Sequence, residues 1–233
     1  MIRMLVIAIV LGALPACGDD GGKTADAASD ASAEPVAFTG EMIDWDSDHA
    51  GAFCGVYMAK LTEHDTTTNT DTTAPNGRIV MMVPDATSVR IDVTPPSGAS
   101  QCSTGGVYQL PGIIITGKTV LDSGKQASYR MLGMTRLPAW FTQFGLTYDP
   151  AKAIVFVHVE GTPAVVKSSA AHDTPIAADE AVWSMNNVGQ NVVFANSAVG
   201  TSDVSLDLTN GIGAQTVPTV AGTITYITLV DPS

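Results

Sequence analysis

Positive charge is what this sequence is shortest of: 11 Lys and Arg stand against 23 Asp and Glu, a formal net charge of −12. A chain this acidic repels phosphate backbones and anionic headgroups. That excludes nucleic acid as a partner and electrostatic docking on a membrane surface. Histidine is scarce too, with four residues in all, and His49, His64, His158 and His172 lack the close spacing of a zinc site. The nine Met form no Met-x-Met or Met/His cluster. Met81-Met82, Met131 and Met134 therefore read as core filling and not as copper ligands. No Gly-x-Ser-x-Gly elbow and no Ser-x-x-Lys motif occurs. "TGKT" at 116–119 lacks the upstream glycine of a phosphate-cradling loop. No cofactor is implied, and no residue set rises to a catalytic assignment.

Long apolar runs are also absent. The longest is Met4–Ala13, broken only by Gly12, and a bilayer crossing needs about 20 helical residues. A charged start at Arg3, this short apolar core and small residues after it have the layout of a secretory signal. The core ends in Leu14-Pro15-Ala16-Cys17, which resembles the lipobox of bacterial lipoproteins. The resemblance implies diacylglycerol on the Cys17 thiol, cleavage after residue 16 and acylation of the new amine. A plain secretory signal that ends at a Cys is the alternative. Residues 17–35 read as an acidic tether: from Gly18 to Pro35 there is no large apolar residue, and five acids face one Lys. Such a stretch cannot bury enough surface to offset its ordering entropy. It would hold a folded body roughly 20–25 Å from the lipid. The expected location is the bacterial cell envelope, at the outer membrane, with the side left open.

With Cys17 lipidated, Cys54 and Cys102 remain as a pair in an oxidising setting. A disulfide between them would constrain the unfolded chain by roughly 4 kcal/mol; two buried free thiols are the alternative.

From Val36 onward, Thr, Val and Ile recur between closely spaced turn residues, and helical periodicity is nearly missing. Strands are expected at Val36–Asp44, Phe53–Leu61, Arg78–Val83, Ser88–Thr94, Gly112–Thr116, Ala153–Glu160, Ala181–Met185, Asn191–Ala195, Asp203–Thr209 and Thr219–Val230. Val89, Ile91 and Val93 alternate with Arg90 and Asp92, and Val204, Leu206 and Leu208 with Ser205 and Asp207. One buried and one wet face is the pattern of antiparallel sandwiches. Pro138–Phe144, with Pro at its start and Gly145 after it, predicts a short helix that buries Trp140, Phe141 and Phe144. Val89–Thr94 and Val204–Thr209 share a pattern, as do the Gly-led strands after Gly77 and Gly189. The expected fold is therefore all-β: two tandem antiparallel β-sandwiches over 36–115 and 151–233, joined by a partly helical connector over 116–150.

Gly40-Glu-Met-Ile-Asp44, the Thr-rich stretch before Asn76-Gly77, and the apolar strand ending at Pro84 resemble the carboxypeptidase regulatory-like, or transthyretin-like, domain. Val188–Asn196 and Val220–Tyr226 look like the same family again. Ala50–Val56 departs from the family's usual Gly-x-Pro-Val-x-Gly segment. The resemblance implies Ig-like sandwiches used as accessory, non-catalytic modules.

Asp44, Asp46 and Asp48 put three carboxylates on alternate positions. Counted from Asp44, a helix-loop-helix calcium loop needs Gly sixth and Glu twelfth, where this chain has His49 and Gly55. Residues i, i+2 and i+4 of a strand share one face, so the three are expected to point to water. A calcium site completed by Glu63 or Asp65 is the alternative. A paired-carboxylate glycosidase lacks a second buried acid and an aromatic sugar platform. Glu63-His64-Asp65 reads as solvated loop. His158 reads as a half-buried sheet residue with a backbone or carboxylate partner, and His49 and His172 as residues of polar loops. The functional expectation is a non-catalytic envelope protein, lipid-anchored through Cys17, that binds protein or glycan partners. A calcium-stabilised adhesin-like module and an envelope hydrolase are the alternatives.

Overall fold

Strands dominate because the apolar residues are largely β-branched, which suits a pleated surface. The computed structural model describes residues 34–45, 54–98, 102, 109–122, 127–133, 136–179, 182–207 and 214–230. Residues 1–33, and with them the expected signal peptide, Cys17 and nearly all of the tether, lie outside the described residues, as do Asp46, Asp48, His49 and Met134. The first strands are β1 (Val36–Asp44), β2 (Lys60–Glu63), β3 (Thr70–Thr72), β4 (Arg78–Val83), β5 (Val89–Thr94) and β6 (Gly112–Thr116). Then come α1 (Lys118–Asp122), β7 (Ala127–Met131) and α2 (Arg136–Gln143). The remainder is β8 (Ala153–Glu160), β9 (Ala164–Ser168), β10 (Ile176–Asp179), β11 (Val182–Ser184), β12 (Val188–Gly189), β13 (Asn191–Ser197), β14 (Gly200–Leu206), β15 (Gln215–Thr219) and β16 (Ile224–Val230).

These strands form three sheets, ordered β4-β1-β7, β11-β10-β13-β8-β16-β6-β5-β2-β3 and β12-β9-β14-β15. The nine-stranded sheet is the middle layer, and alternation along β8 shows why. Ile154 and Phe156 enter one core with Phe38, Met42, Ile79 and Met81 of the small sheet and with Leu137, Trp140 and Phe141 of α2. Val155, Val157 and Val159 enter a second core with Val166, Val204, Leu206 and Val217 of the four-stranded sheet. A strand covered on both faces must be apolar at nearly every position, and β8 is.

The molecule is an all-β sandwich, but two expectations need correction. The segments 36–115 and 151–233 do not separate into two bodies. Strand β6 of the first pairs with β16 of the second from Gly112↔Ile224 to Ile115↔Ile227, and Ala33–Ser233 is one compact unit. Alternation in β5 and β14 reports that each has one buried face; it says nothing about which strand lies alongside. Nor are the sheets purely antiparallel, since β16 runs parallel to both β6 and β8, and β7 parallel to β1. The connector belongs to the body, because β7 completes the small sheet and α2 supplies Trp140 and Phe141 to the core. α2 begins at Arg136, which leaves Pro138 in the first turn where no helical N–H is required. Beyond it, Gly145 takes φ +69°, and Leu146 N–H returns to the Phe141 carbonyl at 3.0 Å.

The expected bounds hold for β1, β4, β6 and β8. The expected long strand 219–230 is interrupted by a turn over Ala221-Gly222, which separates β15 from β16. Among the Met residues, Met81 and Met131 are core, whereas Met82 is half exposed on the outer face of β4.

Candidate functional site

Cys54 and Cys102 are bonded, with their Cα atoms 5.6 Å apart across a sequence separation of 48. Asp44 departs from expectation. It is fully buried, and the Gln109 side-chain amide donates to its Oδ2 at 2.5 Å. The cause is parity: Phe38, Gly40 and Met42 form the buried face of β1, and Asp44 is the next position on that face. The three carboxylates therefore do not share a wet face. Beside Asp44, the Arg130 guanidinium lies 5.9 Å from the centre of the Trp45 ring.

Glu63 is also buried and not solvated; it ends β2 and accepts from Asn69 Nδ2 at 2.7 Å. His64 is exposed and meets Asp92 at 2.7 Å, where Arg90 joins the same carboxylate at 2.8 Å. His158 is half-buried as expected, but its hydrogen-bond partner is a side-chain amide, with the Glu160 carboxylate farther off. Its Nδ1 is 3.0 Å from Asn191 Oδ1, and its Nε2 is 3.7 Å from Glu160 Oε2. Among the described residues, no three His, Cys, Asp or Glu side chains converge as metal ligands.

The site that sequence reasoning missed is a cleft of about 630 Å³ lined by Thr147–Pro150, Lys152, Ala171–Asp173, Asn196 and Ala198. Three segments distant in sequence build it, and Asn196 ties them together. The register of β13 against β8 shifts between Phe194 and Ser197, a bulge that turns Asn196 out of the ladder. Its backbone sits at φ +49°, a conformation Asn tolerates better than most residues. The Nδ2 group donates to the Thr147 carbonyl at 2.7 Å and to Asp173 Oδ2 at 2.6 Å. Its Oδ1 accepts from Asp149 N–H at 3.0 Å. The side-chain amide thus spends both donors and its acceptor on the two loops that form the walls.

Backbone bonds hold the same walls. Asp173 N–H donates to the Ala195 carbonyl, Ala198 N–H to Ala171, and Lys152 N–H to Asp149. Asp149 also folds back on itself, accepting from Ala151 N–H at 2.9 Å, the Asx turn that an Asp-Pro-Ala stretch favours. His172 rests on Phe194, ring centres 4.7 Å apart, and its Nδ1 lies 2.5 Å from the Asp173 carbonyl. A carbonyl can only accept, so Nδ1 carries the proton and Nε2 of the neutral ring is an acceptor. Burial and the adjacent Asp149 charge push the Tyr148 hydroxyl above its ordinary range. The one local signal for this site was Asn196-Ser197, a polar pair that breaks the apolar run of β13.

No family model matches the chain, and no curated protein matches it. Among solved structures it is similar to the Bacillus anthracis TIE protein, at 8% identity and a TM-score of 0.27, over 84% of this chain and 34% of that one. The chain spans about a third of that protein's length, and a likeness at this level carries no argument.

Proposed function

We propose that this chain is an exported, lipid-anchored protein of the bacterial cell envelope, held at the outer membrane through Cys17, that acts as a non-catalytic binding or scaffolding module. The observation that carries the reading is the Cys54–Cys102 bond. Disulfides persist in oxidising compartments, so the bond supports the export that Met4–Ala13 and Leu14-Pro15-Ala16-Cys17 imply. With two of the three Cys engaged, Cys17 is left for the modification its context suggests. The acidic stretch after it would serve as the leash.

The accessory role follows from the resemblance to transthyretin-like, Ig-like modules, and the sheet-on-sheet packing is compatible with that type. The partner would be an envelope protein or a glycan, met through loops, and the cleft around Asn196 offers one meeting place among the described residues. The calcium-stabilised alternative loses Asp44, which is inside the fold and hydrogen-bonded to Gln109.

Radiolabelled fatty acid fed to cells that express the full chain tests the anchor. Label on the protein and sedimentation with membranes are expected, and both are lost in Cys17→Ala. A wild-type protein released free of fatty acid would refute the reading.

A further inference from the structure

We propose that the cleft around Asn196 is a saccharide-binding site that takes one or two neutral pyranose units. This deepens the binding-module reading and rests on it. The fold leaves several polar atoms of the cleft over. Asp149 uses Oδ1 on Ala151, Asp173 uses Oδ2 on Asn196, and His172 uses Nδ1 on the Asp173 carbonyl. Asp149 Oδ2, Asp173 Oδ1 and His172 Nε2 therefore remain as acceptors without a partner among the described residues. Lys152, which also lines the cleft, adds an ammonium donor.

Acceptors and a donor side by side suit hydroxyl groups, which both give and take a hydrogen bond. The apolar part of the lining fits as well. Pro150, Ala171, Ala198 and the ring of Tyr148 offer surface for the C–H faces of a sugar. Tyr148 meets Phe141 edge to face, ring centres 6.0 Å apart.

Other ligand classes fit less well. A calcium ion wants six to eight oxygens, and only two carboxylates reach the cleft. Anions would meet both carboxylates. A primary amine would meet the like charge of Lys152. The volume, about 630 Å³, falls within the span of small-ligand sites. Asn196 holds both carboxylate-bearing loops before any ligand arrives, so little ordering is left to be done on binding.

The test is saturation-transfer difference NMR on the detergent-solubilised full chain. Glucose, galactose, mannose, N-acetylglucosamine and cellobiose serve as probes, with thermal melts run on every variant. At least one probe is expected to receive saturation from the protein. Its affinity should fall roughly tenfold or more in Asp149→Ala and in Asp173→Ala, each of which loses a charged acceptor. Lys152→Ala, half-buried and with no side-chain hydrogen bond among the described residues, provides the variant least able to unfold the chain and should weaken binding as well. Silence from every probe overturns the assignment, and so does a signal that survives all three substitutions in folded protein. Displacement of the sugar by calcium chloride or methylamine would also overturn it, by showing a cation site. Silence with Cys17 acylated defeats only the saccharide site; sugar binding by a chain with an unmodified Cys17 defeats only the anchor.

Discussion

Trp45 and Trp183 meet edge to face with ring centres 5.4 Å apart, although one leads out of β1 and the other lies on the short strand β11. Trp140 of α2 closes the triangle at 5.3 Å from each. All three tryptophans of the chain thus share one contact, and it joins the small sheet, the helix and the far edge of the nine-stranded sheet. Trp140→Ala removes the most buried of the three and should cost about 3–5 kcal/mol, measured by urea unfolding. Because the three rings report on one place, fluorescence and circular dichroism should give coincident transitions in the wild type. Separate transitions would mean that the segments 36–115 and 151–233 unfold independently.

Gly55 rests directly on the Asn76-Gly77 turn. A Cβ at position 55 would fall 2.0 Å from the Asn76 carbonyl carbon, and one at position 77 would fall 2.2 Å from the Met42 carbonyl oxygen with φ at +79°. Neither obstacle is a flexible side chain. Gly55→Ala is expected to destabilise by about 2 kcal/mol or more through overpacking against backbone, and Gly77→Ala by a similar amount from clash and strain together. Exposed Gly98, with nothing near its Cβ position, is the control: Gly98→Ala should change stability by less than about 0.5 kcal/mol.

Burial pushes the Tyr129 and Tyr226 phenols far above the ordinary tyrosine range; for Tyr226 the Arg130 charge offsets this only in part. Tyr226 is held as a neutral donor to the Arg130 carbonyl. A folded-state pKa raised above the unfolded value means that the stabilisation is complete below the unfolded value of about 10. It is lost as pH climbs from there toward the folded values. The urea midpoint should stay level between roughly pH 7 and 9 and fall steeply above about pH 10. Tyr129→Phe should flatten that alkaline fall. An unchanged slope in this variant would show that the phenol is not the group responsible.

Reduction of Cys54–Cys102, or Cys102→Ala, releases a closed loop of 48 residues and should cost roughly 4 kcal/mol if the bond acts mainly on the unfolded chain. Denaturant titration with and without reductant measures it. A loss near zero would assign the bond a different role.

The local alphabet of this chain was legible from its order alone. Runs rich in Thr, Val and Ile between turn residues placed β1, β4, β6 and β8 at their observed bounds. Pro138 and Gly145 bracketed α2 to within two residues, and the pairing of Cys54 with Cys102 followed from counting thiols. Short strands such as β3, β9 and β12 escaped notice, because two to five residues carry too little periodicity to register. Asp44 shows the next limit. Alternation says that a strand has an inner face, but a polar residue at its end is assigned to water unless its parity with Phe38 and Met42 is followed through.

What tertiary structure alone decided is everything that depends on partners far along the chain. The merger of both segments rests on β6 meeting β16, and parallel pairing leaves no mark on either strand beyond apolar runs. The cleft exists because Asn196 bonds to residues 49 and 23 positions away. No window of neighbouring residues contains those bonds, since they form only after packing has brought the loops together. Sequence determined which stretches become strands, because that choice is local. Packing determined which faces close and which polar atoms stay open, because burial is a property of the assembled layers.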